Sequence, residues 1–317
     1  MNSVSKRTLV IGLVLLVVAC ALPFILSNYR TFQMTLVLVY AIALLGLNIL
    51  TGYNGQISLG HGAFYALGAY CAAILMDRWG VPYWATIPVA GAVCLAAGFV
   101  FGLPALRLEG LYLALATFAL GVATPQLLKY HLLEKWTGGV QGIVIMKPSP
   151  PFGLPLNPDQ WLYFFTLAIA AGMFILGYNL IRGRIGRALV AIRDQHIAAE
   201  AMGINNALYK SLAFGVSAMF TGVAGALGAV AVQFVAPDSF NIFLSIVFLV
   251  GIVVGGLASI SGALYGALFI QFVPNLADEI SKAAPWAIFG VFMIGFVYLM
   301  PTGVAGAVRL ITRRRAP

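Results

Sequence analysis

Long apolar runs alternate with short polar links along this chain. Ten runs are long enough to read as membrane-spanning helices: roughly 8–27, 31–51, 57–76, 84–106, 110–130, 161–181, 209–234, 242–257, 260–277 and 285–302. The pattern predicts an all-α polytopic integral membrane protein with about ten transmembrane helices, forming a single transmembrane domain over residues 1–317. Spans eight and nine are short and meet at a Gly-rich link, which leaves a broken or re-entrant pass open there.

Two polar stretches stand out against this background. The first is RGRIGRALVAIRDQHIAAEAMGIN, residues 182–205, the one charge-dense segment. Its alanines predict a helix over 187–202. On that helix Leu189, Arg193, His196 and Glu200 fall at i, i+4, i+7 and i+11, which is one stripe. Gly203 follows as a helix stop, and Asn205 and Asn206 suit the turn beyond it. A polar, Ala-rich helix slung between spans is built to dock. Its candidate contact residues are Arg187, Arg193, Asp194, His196, Glu200 and Gly203.

The second stretch is TGYNGQISLGHGAFYALGAY, residues 51–70. Asn54, Gln56, Ser58 and His61 open an otherwise apolar span, and Gly52, Gly55, Gly60 and Gly62 weaken the helix there. Broken helix ends expose N–H and C=O groups that can line a polar pathway. Gln56, Ser58, His61 and Tyr65 are the candidate pathway residues. The plainer reading is a capped helix start, with Ser58 as N-cap and His61 hydrogen-bonded locally.

Composition narrows the class. The chain is 62% hydrophobic and 9% charged, with mean hydropathy +0.98; a soluble domain carries about 25% charged residues. Net charge is +9, and the cations sit in links and at the ends. Lys6, Arg7, Arg107, Arg182, Arg184, Arg187, Arg193, Lys210, Arg309, Arg313, Arg314 and Arg315 fall on one side of the ten-span arrangement. Arg30, Arg78, Lys129, Lys135, Lys147 and Lys282 fall on the other. This split places both termini and the 182–208 loop in the cytoplasm, with 131–160 facing outward. No basic face with interleaved aromatics exists, which argues against nucleic acid as a partner. Cys20, Cys71 and Cys94 lie in apolar runs without metal-type spacing. Val17-Val18-Ala19-Cys20 has the look of a lipoprotein cleavage box, but a multi-span chain keeps its first apolar run as an anchor.

Other features are weaker. The 131–160 loop is rich in Pro and Gly, predicting irregular structure with short extended pieces, and loops of this length often bind partners. Gly98/Gly102, Gly222/Ala226, Gly251/Gly255 and Gly262/Gly266 place small residues four apart, which favours close helix packing. Gly-Ala-x-Tyr occurs at 62–65 and 262–265. Arg107 and Glu109 read as anchors of a tight cytoplasmic turn.

The missing motifs decide the energy source. No lysine is preceded by G-x-x-x-x-G, so the chain lacks a phosphate-cradling loop, and no acidic residue lies deep in a span. A transport role without either needs energy from a partner that binds ATP, leaving this chain with no cofactor or metal of its own. The alternatives are a stand-alone secondary carrier and a non-transporting scaffold.

GYNGQISLGHGAFYALGAY, FGLPALRLEGLYLALATFAL, TGGVQG, GRALVAIRDQHIAAEAMGIN and YKSLAFGVSAMFTGVAGAL occur in order between about residues 40 and 300. Together they resemble the LivM-type permease subunit of branched-chain amino acid ABC transporters. One block departs: the family's Gly-Gly-x-Gly…Gly-Pro is Gly255-Gly256-Leu257-Ala258…Gly262-Ala263 here. The resemblance implies a subunit of the bacterial inner membrane, itself not an enzyme. It implies a heterodimer with a second, similar permease. It also implies two cytoplasmic ATP-binding subunits and a periplasmic substrate-binding protein that delivers leucine, isoleucine or valine. Helix 187–202 resembles the coupling helix that seats in an ATPase groove. Related members carry other amino acids, amides or urea.

Overall fold

A computed structural model describes residues 17–106, 108, 110–151, 155–280, 282 and 284–314. Arg107, Glu109 and the basic residues at 6, 7 and 315 lie outside the described residues. Among the described residues the fold is all-α, apart from one pair of two-residue strands.

Residues 17–25 form α1 and are followed by α2 (Asn28–Asn48), which runs on into a π-helical turn, Ile49–Tyr53. After an irregular stretch come α3 (His61–Trp79), α4 (Tyr83–Ala105) and α5 (Leu111–Leu128). A short α6 (His131–Thr137) and β1 (Ile143–Val144) lie in the long link before α7 (Pro158–Arg182). The charged segment folds as α8 (Arg184–Asp194) and α9 (His196–Ala201). Then come α10 (Asn206–Val232), β2 (Phe234–Val235), α11 (Ile242–Gly255), α12 (Ile260–Ile280), α13 (Pro285–Leu299) and α14 (Gly303–Arg314).

Among the described residues, seven helices are long and apolar enough to cross a membrane. α3 has 19 residues, and α13 is a shorter apolar helix of 15. α11, with 14 residues, is only about 21 Å long, short for a bilayer. A 3-10 turn at Pro237–Phe240 extends it to a 19-residue span. α12 is longer than its apolar run, reaching Ile280. Both cross fully. The α11–α12 link meets Asn48 at the end that carries the charged segment, while Asp278 and Glu279 of α12 lie beside Arg30 at the opposite end.

α10 and α2 form the interior. Within their most apolar windows 83% and 78% of residues are buried, against 22% for α7 and 28% for α5. The outer helices therefore expose apolar flanks, as only a bilayer or another membrane subunit tolerates. α10 packs against α4, α3 and α2. Small residues make this possible: a Cβ on Gly68 would strike the Gly222 backbone, and one on Gly225 would strike Tyr65 O. The four small-residue pairs face neighbours within the chain. Gly98 and Gly102 face α10, Gly222 faces Cys94, and Gly251 and Gly255 meet Gly266 and Gly262.

The long link is more structured than its composition predicts, because α6 forms inside it. Its extended piece is β1, antiparallel to β2, with Ile143 opposite Val235. Lys129–Asp238 and Lys147–Asp159 pairs and an Arg78 bond to Lys135 O hold this end together. The first helical segment is tied to α7, since Tyr163 Oη donates to Ala19 O (2.9 Å) and Gln160 Nε2 to Pro23 O (3.0 Å).

Candidate functional site

The polar start of α3 is buried. Ser58 and His61 are fully enclosed, and Gln56 and Tyr65 nearly so. The helix begins at His61 with Gly60 before it, so Ser58 is not the N-cap. Instead other helices satisfy the exposed N–H groups. Leu59 N donates to Thr117 Oγ1 on α5 (2.9 Å), Gly62 N to Ser245 Oγ on α11 (2.8 Å), and Gly60 N to Ser58 Oγ (3.3 Å). A charge-free network thus holds the break in place.

His61 links three segments. Its Nδ1 is 2.9 Å from Ser58 Oγ and its Nε2 is 2.6 Å from Ser217 Oγ on α10. Ser217 Oγ in turn donates to Gly46 O on α2 at 2.6 Å. Its proton is therefore committed, so it accepts from His61 Nε2–H, and Nδ1 accepts from Ser58. The chain of donors runs Ser58, His61, Ser217, Gly46, and it fixes a neutral imidazole of one tautomer. Gln56 is paired as well, its Oε1 accepting from Asn54 Nδ2 (2.8 Å). Tyr65 stands apart from these three. Its ring packs on Phe248 (5.6 Å) and Phe240 (6.0 Å), farther along α3.

The charged segment does not form one helix over 187–202. Gln195 is extended (φ −158°, ψ 93°) and separates α8 from α9. Asp194 and His196 beside it are weaker helix formers than the alanines on either side. The expected stripe is therefore cut. Leu189 is fully buried under α8, whereas Arg193, His196 and Glu200 are exposed. Gly203 does take the left-handed conformation of a helix stop (φ +84°), and Asn205 Oδ1 caps α10 through Leu208 N (3.0 Å).

The six candidate residues fall into three groups. Arg193 turns inward: its Nη1 donates to Gly52 O in the π turn (2.9 Å), and its Nε and Nη2 hold Asp194 Oδ1 (2.9 and 2.8 Å). Its stem crosses Gly55, where φ is +75° and a Cβ would lie 2.7 Å from Arg193 Cγ. His196, Glu200 and Gly203 border a groove of about 550 Å³ that also includes Leu106, Asn206 and Lys210. Asn206 Nδ2 braces it through His196 O (2.8 Å) and Glu200 Oε2 (3.3 Å). Arg187 lies on the exposed face, bonded to Arg182 O (3.3 Å).

A further polar residue was not singled out in the sequence. Asn48 ends α2, and its amide spans the α11–α12 link, accepting from Ala258 N (2.9 Å) and donating to Ser259 O (2.8 Å). Arg309 of α14 reaches Ser259 Oγ (3.2 Å). Asn48 and Ser217 share one sequence signal, a lone polar residue inside an apolar run.

Residues 29–301 match the family described as "Branched-chain amino acid transport system / permease component". The chain belongs to that family. It is 33% identical to the high-affinity branched-chain amino acid transport system permease protein LivM of Escherichia coli, over 90% of this chain and 72% of the relative. It is 24% identical to the corresponding protein BraD of Pseudomonas aeruginosa, over 84% and 91%. It is also 24% identical to the autoinducer 2 import system permease protein LsrC of Salmonella typhimurium, over 77% and 69%. No solved structure matches. The permease thus has two polar centres at one end, the buried start of α3 and the α8–α9 segment, joined by Arg193 and the π turn. Family membership agrees with a transport role rather than an enzymatic one.

Proposed function

We propose that the chain is the membrane permease subunit of an ABC importer for branched-chain or other hydrophobic amino acids. The observation that carries this reading, beyond family membership, is the bond from Arg193 to Gly52 O. It attaches an exposed cytoplasmic segment to a broken membrane helix, as a subunit driven from outside requires. The sequence has no phosphate-cradling loop, so ATP is bound by two partner subunits at the α8–α9 face. His196, Glu200 and Gly203 meet them around the groove, with Arg187 on the exposed flank and Arg193 and Asp194 passing the motion inward. A second, homologous permease completes the pathway, and a periplasmic binding protein delivers cargo to the end that carries β1 and β2. Gln56, Ser58, His61 and Tyr65 lie along the route or form its closed inner end.

The charge split supports cytoplasmic termini, and the family likeness supports a bacterial inner membrane. The likeness to an autoinducer 2 permease supports a second reading, a related importer with another cargo. Cells lacking this chain test the choice. Loss of leucine, isoleucine and valine uptake at low external concentration, restored by a plasmid copy, supports the first reading. Unchanged uptake of all three contradicts it.

A further inference from the structure

A cavity of about 720 Å³ opens between α2, α11, α12 and α13, toward the end that carries β1 and β2. Its size is that of a small-molecule site. Leu244, Val247, Phe248 and Ile270 give it an apolar wall, and no charged residue lines it. Its polar groups differ in availability. Asn241 is committed as the cap of α11, accepting from Phe243 N (3.0 Å) and donating to Asp238 O (3.2 Å). Asn275 Nδ2 is committed to Gln271 O (2.9 Å). The Gln271 carboxamide and the Tyr40 hydroxyl have no hydrogen-bond partner among the described residues. Pro274 also lines the cavity, and having no N–H it leaves the Ile270 carbonyl without its helical donor.

This is the chemistry of a net-neutral amphiphile. An aliphatic side chain fits the wall. A carboxylate accepts from Gln271 Nε2 and Tyr40 Oη–H, and an ammonium donates to a free carbonyl. A cargo with a net charge finds no counter-ion and bears the desolvation cost. Hydrogen bonds without a fixed charge also hold weakly enough for release, which a pathway needs.

We propose that this cavity is the outward substrate subsite of the permease, and that it takes a zwitterionic amino acid with an uncharged aliphatic side chain. The proposal rests on the importer reading above. It places the cargo on the wall of α2, the helix whose other end carries the π turn gripped by Arg193. Phe248 separates the cavity from Tyr65, the two rings 5.6 Å apart, so Tyr65 backs the subsite rather than lining it.

Size-graded uptake tests it. The complete complex is reconstituted with its binding protein, saturated in turn with radiolabelled leucine and valine. Val247→Phe narrows the cavity and lowers the leucine-to-valine uptake ratio roughly tenfold, the scale set by one methylene. Leu244→Phe does the same from the neighbouring turn if Val247→Phe does not assemble. Gln271→Leu lowers uptake of both cargoes and leaves their ratio unchanged. A wild-type complex that carries both, with an unaltered ratio in the assembled cavity variant, overturns the subsite alone. A wild-type complex that carries neither overturns the importer reading, and the subsite with it.

Discussion

Arg193 Nη1 donates to the carbonyl of Gly52 across 2.9 Å, joining α8 to the π turn that ends α2. A π turn widens the helix and leaves carbonyls off the regular ladder, and such turns are frequent at functional sites. Arg193 fills one of them with a charged donor. Its side chain is 35% exposed, so the contact lies at the rim, where a push on α8 reaches α2 directly.

Arg193→Ala breaks this link and keeps the helix. Loss of a hydrogen bond to a charged group costs about 1.5 kcal/mol, which corresponds to roughly tenfold. Amino acid moved per ATP hydrolysed falls by about that factor in the reconstituted complex, while the ATPases still co-purify. Glu200→Arg has the opposite signature, weakening co-purification because Glu200 borders the exposed groove. Equal coupling in wild type and Arg193→Ala removes the mechanical role of the contact.

The α11–α12 link carries strain. Ala258 has φ +54°, a conformation that suits glycine, at the position where the family pattern reads glycine. Asn48 Oδ1 holds its N–H in place. Ala258→Gly relieves about 1 kcal/mol and raises the melting temperature of the purified protein. Asn48→Ala strands a backbone N–H and a C=O and lowers stability by about 3 kcal/mol. A lower melting temperature for Ala258→Gly would show that the link is unstrained.

Glycines on α3 and α7 behave differently. A Cβ on Gly68 meets the Gly222 backbone, whereas one on Gly172 meets nothing within 4 Å. Gly68→Ala forces α3 and α10 apart and costs about 3 kcal/mol or prevents assembly. Gly172→Ala is neutral or stabilising by up to about 1 kcal/mol. Thermal unfolding of the two variants in one detergent compares them.

Topology is tested by single cysteines in a background with the three native ones replaced. Ser149 and Gln195 are both exposed. Cysteine at Ser149 reacts with an impermeant maleimide added outside, and cysteine at Gln195 reacts only after the membrane is opened. Labelling of both from outside contradicts the assignment.

Much of this fold is legible in the sequence because apolar length is a strong signal in a membrane chain. Seven helices long and apolar enough to cross a membrane, the Gly203 stop and the extended piece paired with β2 are present, while 8–16 of the first run lies outside the described residues. The break at Gln195 was hidden, since the alanines favour one helix and outweigh the weaker helix formers Asp194 and His196 in a local reading. The site is partly legible. Gln56, Ser58 and His61 stand out as polar residues in an apolar span, yet their partners Ser217 and Thr117 lie 156 and 58 residues from the groups they bind. Asn48 shows only as a lone polar residue in an apolar run, and its role is hidden because it depends on a link some 210 residues away.

The most direct test of the importer account is leucine uptake into proteoliposomes, comparing the full complex with this chain alone. With the second permease, the two ATPases and a loaded binding protein, uptake requires ATP on the α8–α9 side and stops when a non-hydrolysable analogue replaces it. This chain alone, given an ion gradient and no ATP, takes up nothing. Robust gradient-driven uptake by the chain alone would contradict the account and make it a secondary carrier.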